Sequence, residues 1–336
     1  MALSSTSSEL TKDRAYYSWV TLFFIAVAGI IGLLYYAAVD IDYTWRWYRI
    51  PQYFVFNDNI EILADIDGDV AAITTEKDKI QILVKGSGQS ETYTVPKDSV
   101  RVEEGDIIFS GDVLAVYQKL RPGILMQGLW LTLKVSVVAI IFGILIGLFG
   151  GLARISSNPA LRWASITYIE LIRGSPLLVQ IFIWYFVFGT LINTLMARQG
   201  WFQIAALWYG VAALACFTGA YVAEMVRAGI QSIHRGQTEA SRSLGMTYTQ
   251  SMVHIILPQA LRRILPPLAG QFISLIKDSS LLGIIAIREL TKATREVVTT
   301  SLQPFELWIV CALLYLVLTF SLSMLLQYFE KRILAQ

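Results

Sequence analysis

The sequence has few charged residues for its length, since only 15% of its 336 residues are Asp, Glu, Lys or Arg whereas 55% are hydrophobic. The mean hydropathy of +0.56 excludes an ordinary soluble domain. Cysteine and histidine are also scarce, with only Cys216, Cys311, His234 and His254. Neither pair has the spacing of a metal site or a disulfide framework. We interpret the cysteines as packing residues and the histidines as solvated surface residues.

The chain also lacks the short motifs of nucleotide and hydrolytic chemistry. It contains no GxxxxGK[ST] phosphate loop, no HExxH zinc motif and no GxSxG nucleophile elbow. We therefore predict no catalytic residue, no metal and no cofactor on this chain. If ATP is used, another chain must bind it.

Long uncharged segments are abundant. Five runs cover residues 15–39, 135–153, 174–197, 199–223 and 307–329, and a sixth, 264–287, is interrupted only by Lys277 and Asp278. Because about 20 apolar residues span a bilayer as a helix, the predicted fold class is a membrane all-α protein with six transmembrane helices, the second beginning near Gly123. The first run follows Lys12 and Arg14, as in a signal peptide, but exceeds the apolar length of such signals, which favours a retained anchor.

The distribution of charge predicts the orientation. Residues 40–121 contain 15 acidic and 9 basic residues, a net charge of −6, while the rest of the chain carries +8. If the N-terminus, residues 1–14, is cytoplasmic, six crossings place the acidic segment outside and the basic loops and the C-terminus inside, as the positive-inside rule expects. The predicted organisation is then an anchor helix at 15–39, an extracytoplasmic domain at 40–122 and a helical core at 123–336.

The external segment is predicted to be a small β-domain inserted after the first helix. Residues 60–117 alternate short β-rich pieces with turn residues, as in "DIDGDVAAITT" and "SVRVEEGDIIFSGDVLAVYQ". The last piece resembles the barrel-sandwich hybrid fold of lipoyl and biotinyl carriers, where a lysine at a hairpin tip is modified, and "EKDK" offers Lys77 and Lys79. Since such carriers serve cytosolic or mitochondrial enzymes, an external position favours an unmodified β-module.

A polar segment, residues 227–263, interrupts the apolar half of the chain with "EASRSLGMTYTQSMVHIILPQA". Glu239–Leu244 is predicted to be a short helix, Gly245 to end it in the left-handed conformation, and Thr247 with Gln250 to start the next helix as a capping box. Leu257-Pro258 should disturb that second helix.

The product is a two-helix finger on the cytoplasmic side. Ala240 and Ser241 beside the glycine keep its tip slim, so another protein could approach the backbone closely. A solvated connector is the alternative, but a connection between adjacent helices needs only a few residues.

Several segments of the chain resemble one known family. "EASRSLG" followed by "ILPQALRRILPPL" resembles the EAA loop of ABC-importer permeases, although that pattern usually has alanine where Ser241 stands. "YIELIRGSPLLVQIFIWYF", "FTGAYVAEMVRAGIQSI" and "GQFISLIKDSSLLGIIAIREL" are similar to permeases for polar amino acids, the histidine/glutamine/glutamate/arginine group. The resemblance covers residues 123–332 and leaves out the anchor and the β-domain.

The resemblance implies a five-helix type I importer permease core in a bacterial cytoplasmic (inner) membrane. Its implied partners are a separate ABC ATPase that binds ATP, a second permease copy or paralogue, an external amino-acid-binding protein and the amino acid, with no nucleic acid. The ATPase-coupling residues it implies are Glu239, Ala240, Ser241, Gly245 and Pro258.

Charged residues within the spans are candidates for the substrate path, because charge inside a membrane is costly and normally faces a cavity or a partner charge. The candidates, with two neighbouring serines, are Glu170, Arg173, Ser175, Lys277, Asp278 and Ser279. Gly174-Ser175-Pro176 is expected to break a helix and free backbone carbonyls for a polar ligand, and an anion at Asp278 could meet the α-ammonium of an amino acid. A structural ion pair, or a charge at the membrane edge, is the alternative for each charged candidate.

Two other classes of function remain open at the level of sequence. A secondary transporter or channel would also have intramembrane charges, but it should show inverted repeats or broken paired segments. The sequence shows no convincing internal repeat, and such a protein would not need the long cytoplasmic hairpin. A membrane-anchored scaffold or carrier would place its function in the β-domain and leave the polar residues of the helices unexplained.

Overall fold

The computed structural model describes residues 14–76 and 79–334 and divides into two units, residues 1–47 and 48–336. The first unit consists mainly of one helix, α1 (Arg14–Asp40). Its described side chains are mostly apolar and mostly exposed, as expected of a helix surrounded by lipid. A 3₁₀ segment, Trp47–Tyr53, crosses the boundary between the two residue ranges in the sequence.

The second unit begins with six antiparallel strands. They are β1 (Val55–Leu63), β2 (Gly68–Glu76), β3 (Lys79–Lys85), β4 (Ser90–Pro96), β5 (Ile107–Ile108) and β6 (Val113–Pro122). β1 and β6 form a two-stranded ribbon, and the other strands form a sheet of order β4-β3-β2-β5. Alternating side chains such as Ile82, Val84 and Leu114 form its core. The strands extend beyond the predicted range 60–117 at both ends, since β1 begins at Val55 and β6 ends at Pro122. Lys79 starts β3, and Lys77 falls outside the described residues.

The helical core follows directly. It comprises α2 (Ile124–Arg154), α3 (Pro159–Arg173), α4 (Leu177–Phe182), α5 (Thr190–Arg198), α6 (Ala206–Gln231), α7 (Arg235–Ser243), α8 (Tyr248–Ser251), α9 (Leu257–Asp278), α10 (Leu290–Ser301) and α11 (Pro304–Leu334). π-helical segments, Ile183–Gly189 and Met252–Ile256, join α4 to α5 and α8 to α9, and a 3₁₀ segment, Ser279–Ile285, follows α9. Among the described residues, six helices are long and apolar enough to cross a membrane, which confirms the predicted number.

Glycines bring α2 and α6 into close contact. Gly143, Gly147 and Gly151 recur every fourth residue on α2, and a Cβ on the last two would lie within 2.6 Å of Val222 or Val226 on α6. Such spacing of small residues lets two membrane helices approach at the backbone. This pair forms the centre of the helical core.

One predicted boundary is wrong. The run at 199–223 was expected to be a span, but the helix, α6, starts at Ala206 and continues through Glu224 and Arg227 to Gln231. Glu224 pairs with Arg227 on the same helix and with Arg154 of α2, which supplies counter-charges for a carboxylate inside this helix. The predicted segment 227–263 therefore includes the last turn of α6 and the first turns of α9.

Candidate functional site

The polar segment folds as a helical hairpin, α7–α8, as predicted. His234 caps α7, with its Nδ1 accepting from the Gly236 N–H. Gly245 has φ +82° with open space around it, so the turn depends on the backbone freedom of glycine. Thr247 and Gln250 form the expected capping box. The glycine turn and the capping box are confirmed, but the first helix was predicted at 239–244 and instead begins at Arg235 and ends at Ser243. A coupling role for the hairpin stays a prediction.

A buried hydrogen bond closes the hairpin. Ser241 Oγ lies 2.5 Å from Ser251 Oγ, and both side chains are almost fully buried. Ser241 Oγ also donates to the Thr238 carbonyl at 2.8 Å. The two helices are thereby held at a fixed separation.

The tip of the hairpin is available to a partner. Glu239, Ala240 and Gly245 are exposed, as is Leu244, whose side chain is 82% exposed. Sequence reasoning missed Leu244, although an apolar residue beside the turn glycine in a polar segment was the available signal. An exposed leucine on a slim, rigid tip suits insertion into an apolar cleft.

The base of the hairpin is fixed to the ends of α6 and α9. Ile230, Ile233, Ile256 and Ile264 form one buried apolar cluster, and Arg263 Nη1 donates to the Ser232 carbonyl at 2.5 Å. The disturbance predicted at Leu257-Pro258 is the π-helical segment, in which the Leu257 N–H bonds to the Met252 carbonyl. The hairpin is therefore connected to α9 by continuous helix, without a loop between them.

A charge network links α2, α3 and α6 close to this base. Arg154 reaches Glu170 at 3.5 Å through Nη2 and Glu224 at 3.6 Å through Nε. Glu224 also accepts from Arg227 on its own helix. Arg173 lies over the ring of Tyr221, with its guanidinium carbon 5.3 Å from the ring centroid. The structure thus brings the two predicted candidates of α3 into one polar region.

The break between α3 and α4 is more self-contained than the sequence suggested. Gln180 Nε2 donates to the carbonyls of Ile172 and Ser175, at 2.7 and 3.2 Å, and Ser175 Oγ donates to the Leu171 carbonyl. The expectation of free carbonyls is therefore wrong for these three. Gln180 Oε1 is buried and has no hydrogen-bond partner among the residues that the structure describes.

The remaining candidates lie at the end of α9. Lys277 is exposed, Asp278 is half-buried, and both precede the 3₁₀ segment. Ser279 is fully buried and its hydroxyl donates to the Ile276 carbonyl at 2.7 Å. Ser279 thus uses its only proton within the helix end, which leaves it as an acceptor only.

A cavity of about 470 Å³ opens between α5 and α6. Its polar lining includes Thr190, Thr194 and Gln203, beside Asn193, which bonds to both the N–H and the carbonyl of Ile204. None of the predicted path residues lines it. In the described ranges, 14–76 and 79–334, no group of three or more His, Cys, Asp or Glu side chains could hold a metal ion.

The comparisons with known proteins point to one family. Residues 139–335, more than half of the chain, match the family described as "Binding-protein-dependent transport system inner membrane component". The chain is 42% identical over 208 residues to the probable glutamine ABC transporter permease protein of Bacillus subtilis, covering 62% of this chain and 92% of that protein. It is 36% identical over 209 residues to the glutamine transport system permease protein of Escherichia coli, with the same coverages.

A solved structure agrees. The crystal structure of an amino acid ABC transporter with histidines matches with a TM-score of 0.55 and 40% identity, covering 62% of this chain and 94% of that one. The family match begins at residue 139, so α1 and the β-domain lie outside it.

Proposed function

This chain belongs to the family of binding-protein-dependent transport system inner membrane components, and from that premise we propose that it is the membrane-spanning subunit of an importer for a polar amino acid. ATP is hydrolysed on a separate ABC ATPase, and an extracytoplasmic binding protein delivers the amino acid. A second permease, identical or related, completes the path. Permeases with glutamine in their names, at 42% and 36% identity, support this class of substrate.

The observation that carries the proposal is the α7–α8 hairpin within the matched family region. It is a rigid, closed lever with an exposed leucine at its tip and a base packed on two membrane helices. A closing ATPase that holds this tip would move α6 and α9 together and shift the population between inward- and outward-facing states. The hairpin then lies in the cytoplasm with both termini of the chain, an orientation that the positive-inside rule supports.

The substrate path is proposed to run past the charged ends of α3 and α9. Glu170 has a side chain that is 65% exposed despite its ion pair, and Asp278 is half-buried beside an exposed lysine. Carboxylates in such positions suit the α-ammonium group of an amino acid. Arg173 and Lys277 supply the opposite charge for the α-carboxylate, and the partly exposed Ser175 offers a hydroxyl oxygen, whereas the buried Ser279 shapes the end of α9.

Reconstitution tests the function. The permease is purified with its ATPase, placed in proteoliposomes with the binding protein inside or outside, and supplied with radiolabelled glutamine, glutamate, arginine or histidine. We expect ATP-dependent uptake of at least one of them, only when the binding protein and ATP are on opposite sides of the membrane. Uptake that needs neither ATP nor a binding protein would overturn the proposal in favour of a secondary transporter.

A further inference from the structure

The β-domain is joined tightly to the helical core where α2 begins. The Gly123 N–H donates to the Phe54 carbonyl at 2.7 Å, and Gln127 Nε2 donates to the Pro122 carbonyl at 2.8 Å. A Cβ on Gly123 would lie 2.2 Å from the Tyr53 carbonyl oxygen, so the close approach requires glycine. Both strands of the β1–β6 ribbon are therefore held at their base.

An apolar cluster reinforces this joint. Ile50, just before the ribbon, is buried with Leu125 of α2, Leu290 of α10 and Leu307 of α11. α2 and α10 are in turn connected by the Leu290 N–H, which donates to Thr132 Oγ1 at 3.1 Å. The β-domain is thus an arm fixed to the permease core.

The arm and the hairpin lie at opposite ends of α2. α2 has 31 residues and is therefore about 46 Å long. The arm joins its first turn, whereas Ile155, just after its last residue, packs on the cluster at the base of the hairpin. If the hairpin contacts the ATPase in the cytoplasm, as the proposed function requires, the arm lies on the extracytoplasmic side of the membrane, where the binding protein docks.

The arm is long enough to reach the flank of a docked protein. β1 pairs with β6 over nine residues, which corresponds to a ribbon of about 30 Å. The larger sheet therefore lies well away from the base of the ribbon. A protein that sits on the permease would have the larger sheet beside it.

Two apolar side chains, which we call the tip pair, stand out from this sheet. Ile107 and Phe109 are 70% and 62% exposed, while Ile108 between them is buried. Their loop is fixed, because Asp112 Oδ2 accepts from the Phe109 N–H and Asp67 Oδ1 from the Ser110 N–H. A rigid apolar pair loses little conformational freedom on binding and is a typical anchor at a protein interface.

We propose that the tip pair docks the external binding protein, on an apolar patch with a basic rim. We expect the rim on the binding protein to be basic because the arm has an excess of acidic residues. The net charge is −6 over residues 40–121 and +8 over the rest of the chain. Opposite charges at the rim raise the association rate, and burial of the apolar pair lowers the dissociation rate. The arm then keeps the binding protein near the permease between transport cycles.

The test uses the complete importer in nanodiscs. The probe is the binding protein whose amino-acid-loaded form stimulates ATP hydrolysis by the wild-type complex. Its affinity is measured for the wild type, for Ile107→Ser/Phe109→Ser, and for a matched control, Leu120→Ser, which alters a 69% exposed residue of the ribbon. We expect the double variant to bind about tenfold or more weakly and the control to bind like the wild type. A photo-crosslinking residue at position 109, but not at 120, should join to the binding protein.

Equal affinities in all three complexes would overturn the docking role while leaving the proposed function intact. If the double substitution changes only the self-association of the complexes, the tip pair makes contacts between copies of this chain, and the proposal is wrong. If no binding protein stimulates ATP hydrolysis by the wild-type complex, the proposed function is wrong, and the binding protein cannot be the partner of the tip pair.

Discussion

Ser251 donates its hydroxyl proton to Ser241 across the α7–α8 hairpin, at an Oγ–Oγ distance of 2.5 Å. The direction follows because Ser241 has one proton and gives it to the Thr238 carbonyl. The bond joins α7 to α8, the two helices that the Gly245 turn brings together. In the related loop pattern alanine stands at position 241, so this chain closes its hairpin by a polar contact.

Ser241→Ala should loosen the hairpin by about 1–3 kcal/mol, because the buried Ser251 hydroxyl loses its acceptor. Ser241→Ala/Ser251→Ala should recover most of that loss, since neither position then has an unpaired polar group. Hydrogen exchange of the backbone amides of residues 247–252 measures the opening free energy. If the double variant exchanges at least as fast as the single one, the bond does not hold the hairpin closed.

Gly245→Val should abolish amino-acid uptake and the stimulation of ATP hydrolysis by substrate, with membrane insertion intact. The cost is backbone strain rather than a clash, since nothing lies within 4 Å of the added Cβ at φ +82°. Gly88→Val is the matched control, because Gly88 also has a positive φ and open space but lies in the β-domain. Uptake by both variants at the wild-type rate would mean that the hairpin is not the lever.

Local patterns in the sequence predicted the hairpin well and the charge network poorly. Gly245 and the Thr247–Gln250 box act through neighbours two to five residues away, so a short window contains the cause and the effect. Glu224 pairs with its neighbour Arg227 and also with Arg154, which is 70 residues earlier, so a short window contains only part of the network. The Ile172 carbonyl, which Pro176 leaves without a helical N–H donor, is bonded by the nearby Gln180, a side-chain direction that the sequence pattern does not give.

Glu224→Gln should lower the thermal stability of the complex, because Arg154 and Arg227 lose a shared counter-charge in a poorly solvated region. The side chains retain 18–28% exposure, so we expect about 1–3 kcal/mol rather than the larger cost of a fully buried pair. Glu296→Gln is the control, since it breaks a similar pairing with Arg288 and Lys292, where the arginine is 59% exposed. Equal shifts in the apparent Tm of the two variants would contradict this account.

Removing the larger sheet should leave the transporter assembled. The change deletes residues 64–112 and joins Leu63 to its cross-strand partner Val113 through an Asn-Gly turn, which suits a two-residue hairpin. The base of the ribbon keeps its contacts with α2, so the ATPase should copurify and basal ATP hydrolysis should persist. Uptake should fall at low concentrations of binding protein and recover at high ones. Loss of membrane insertion or of permease pairing would show that the β-domain is structural.

Asp278→Asn and Glu170→Gln test the substrate path. Both carboxylates carry charge within or beside membrane helices, where an unpaired charge costs about 2.5–3.5 kcal/mol on insertion scales, so each needs a cavity or a partner. Glu170 has Arg154 at 3.5 Å and is still largely exposed, while Asp278 ends α9 beside Lys277. These positions are compatible with a carboxylate that faces a polar passage, and a neutral amide there would bind an ammonium group less well.

We expect both variants to assemble with the ATPase, to raise the KM for uptake by about tenfold, equivalent to about 1.4 kcal/mol, and to alter the preference among amino acids of different side-chain charge. Glu61→Gln, at an exposed site on β1, is the control and should transport like the wild type. Competition among glutamine, glutamate and arginine in proteoliposomes measures the preference. If affinity and selectivity are unchanged in both variants, these carboxylates do not line the path. The substrate must then be held by backbone and hydroxyl groups, which would direct attention to the polar cavity beside Asn193.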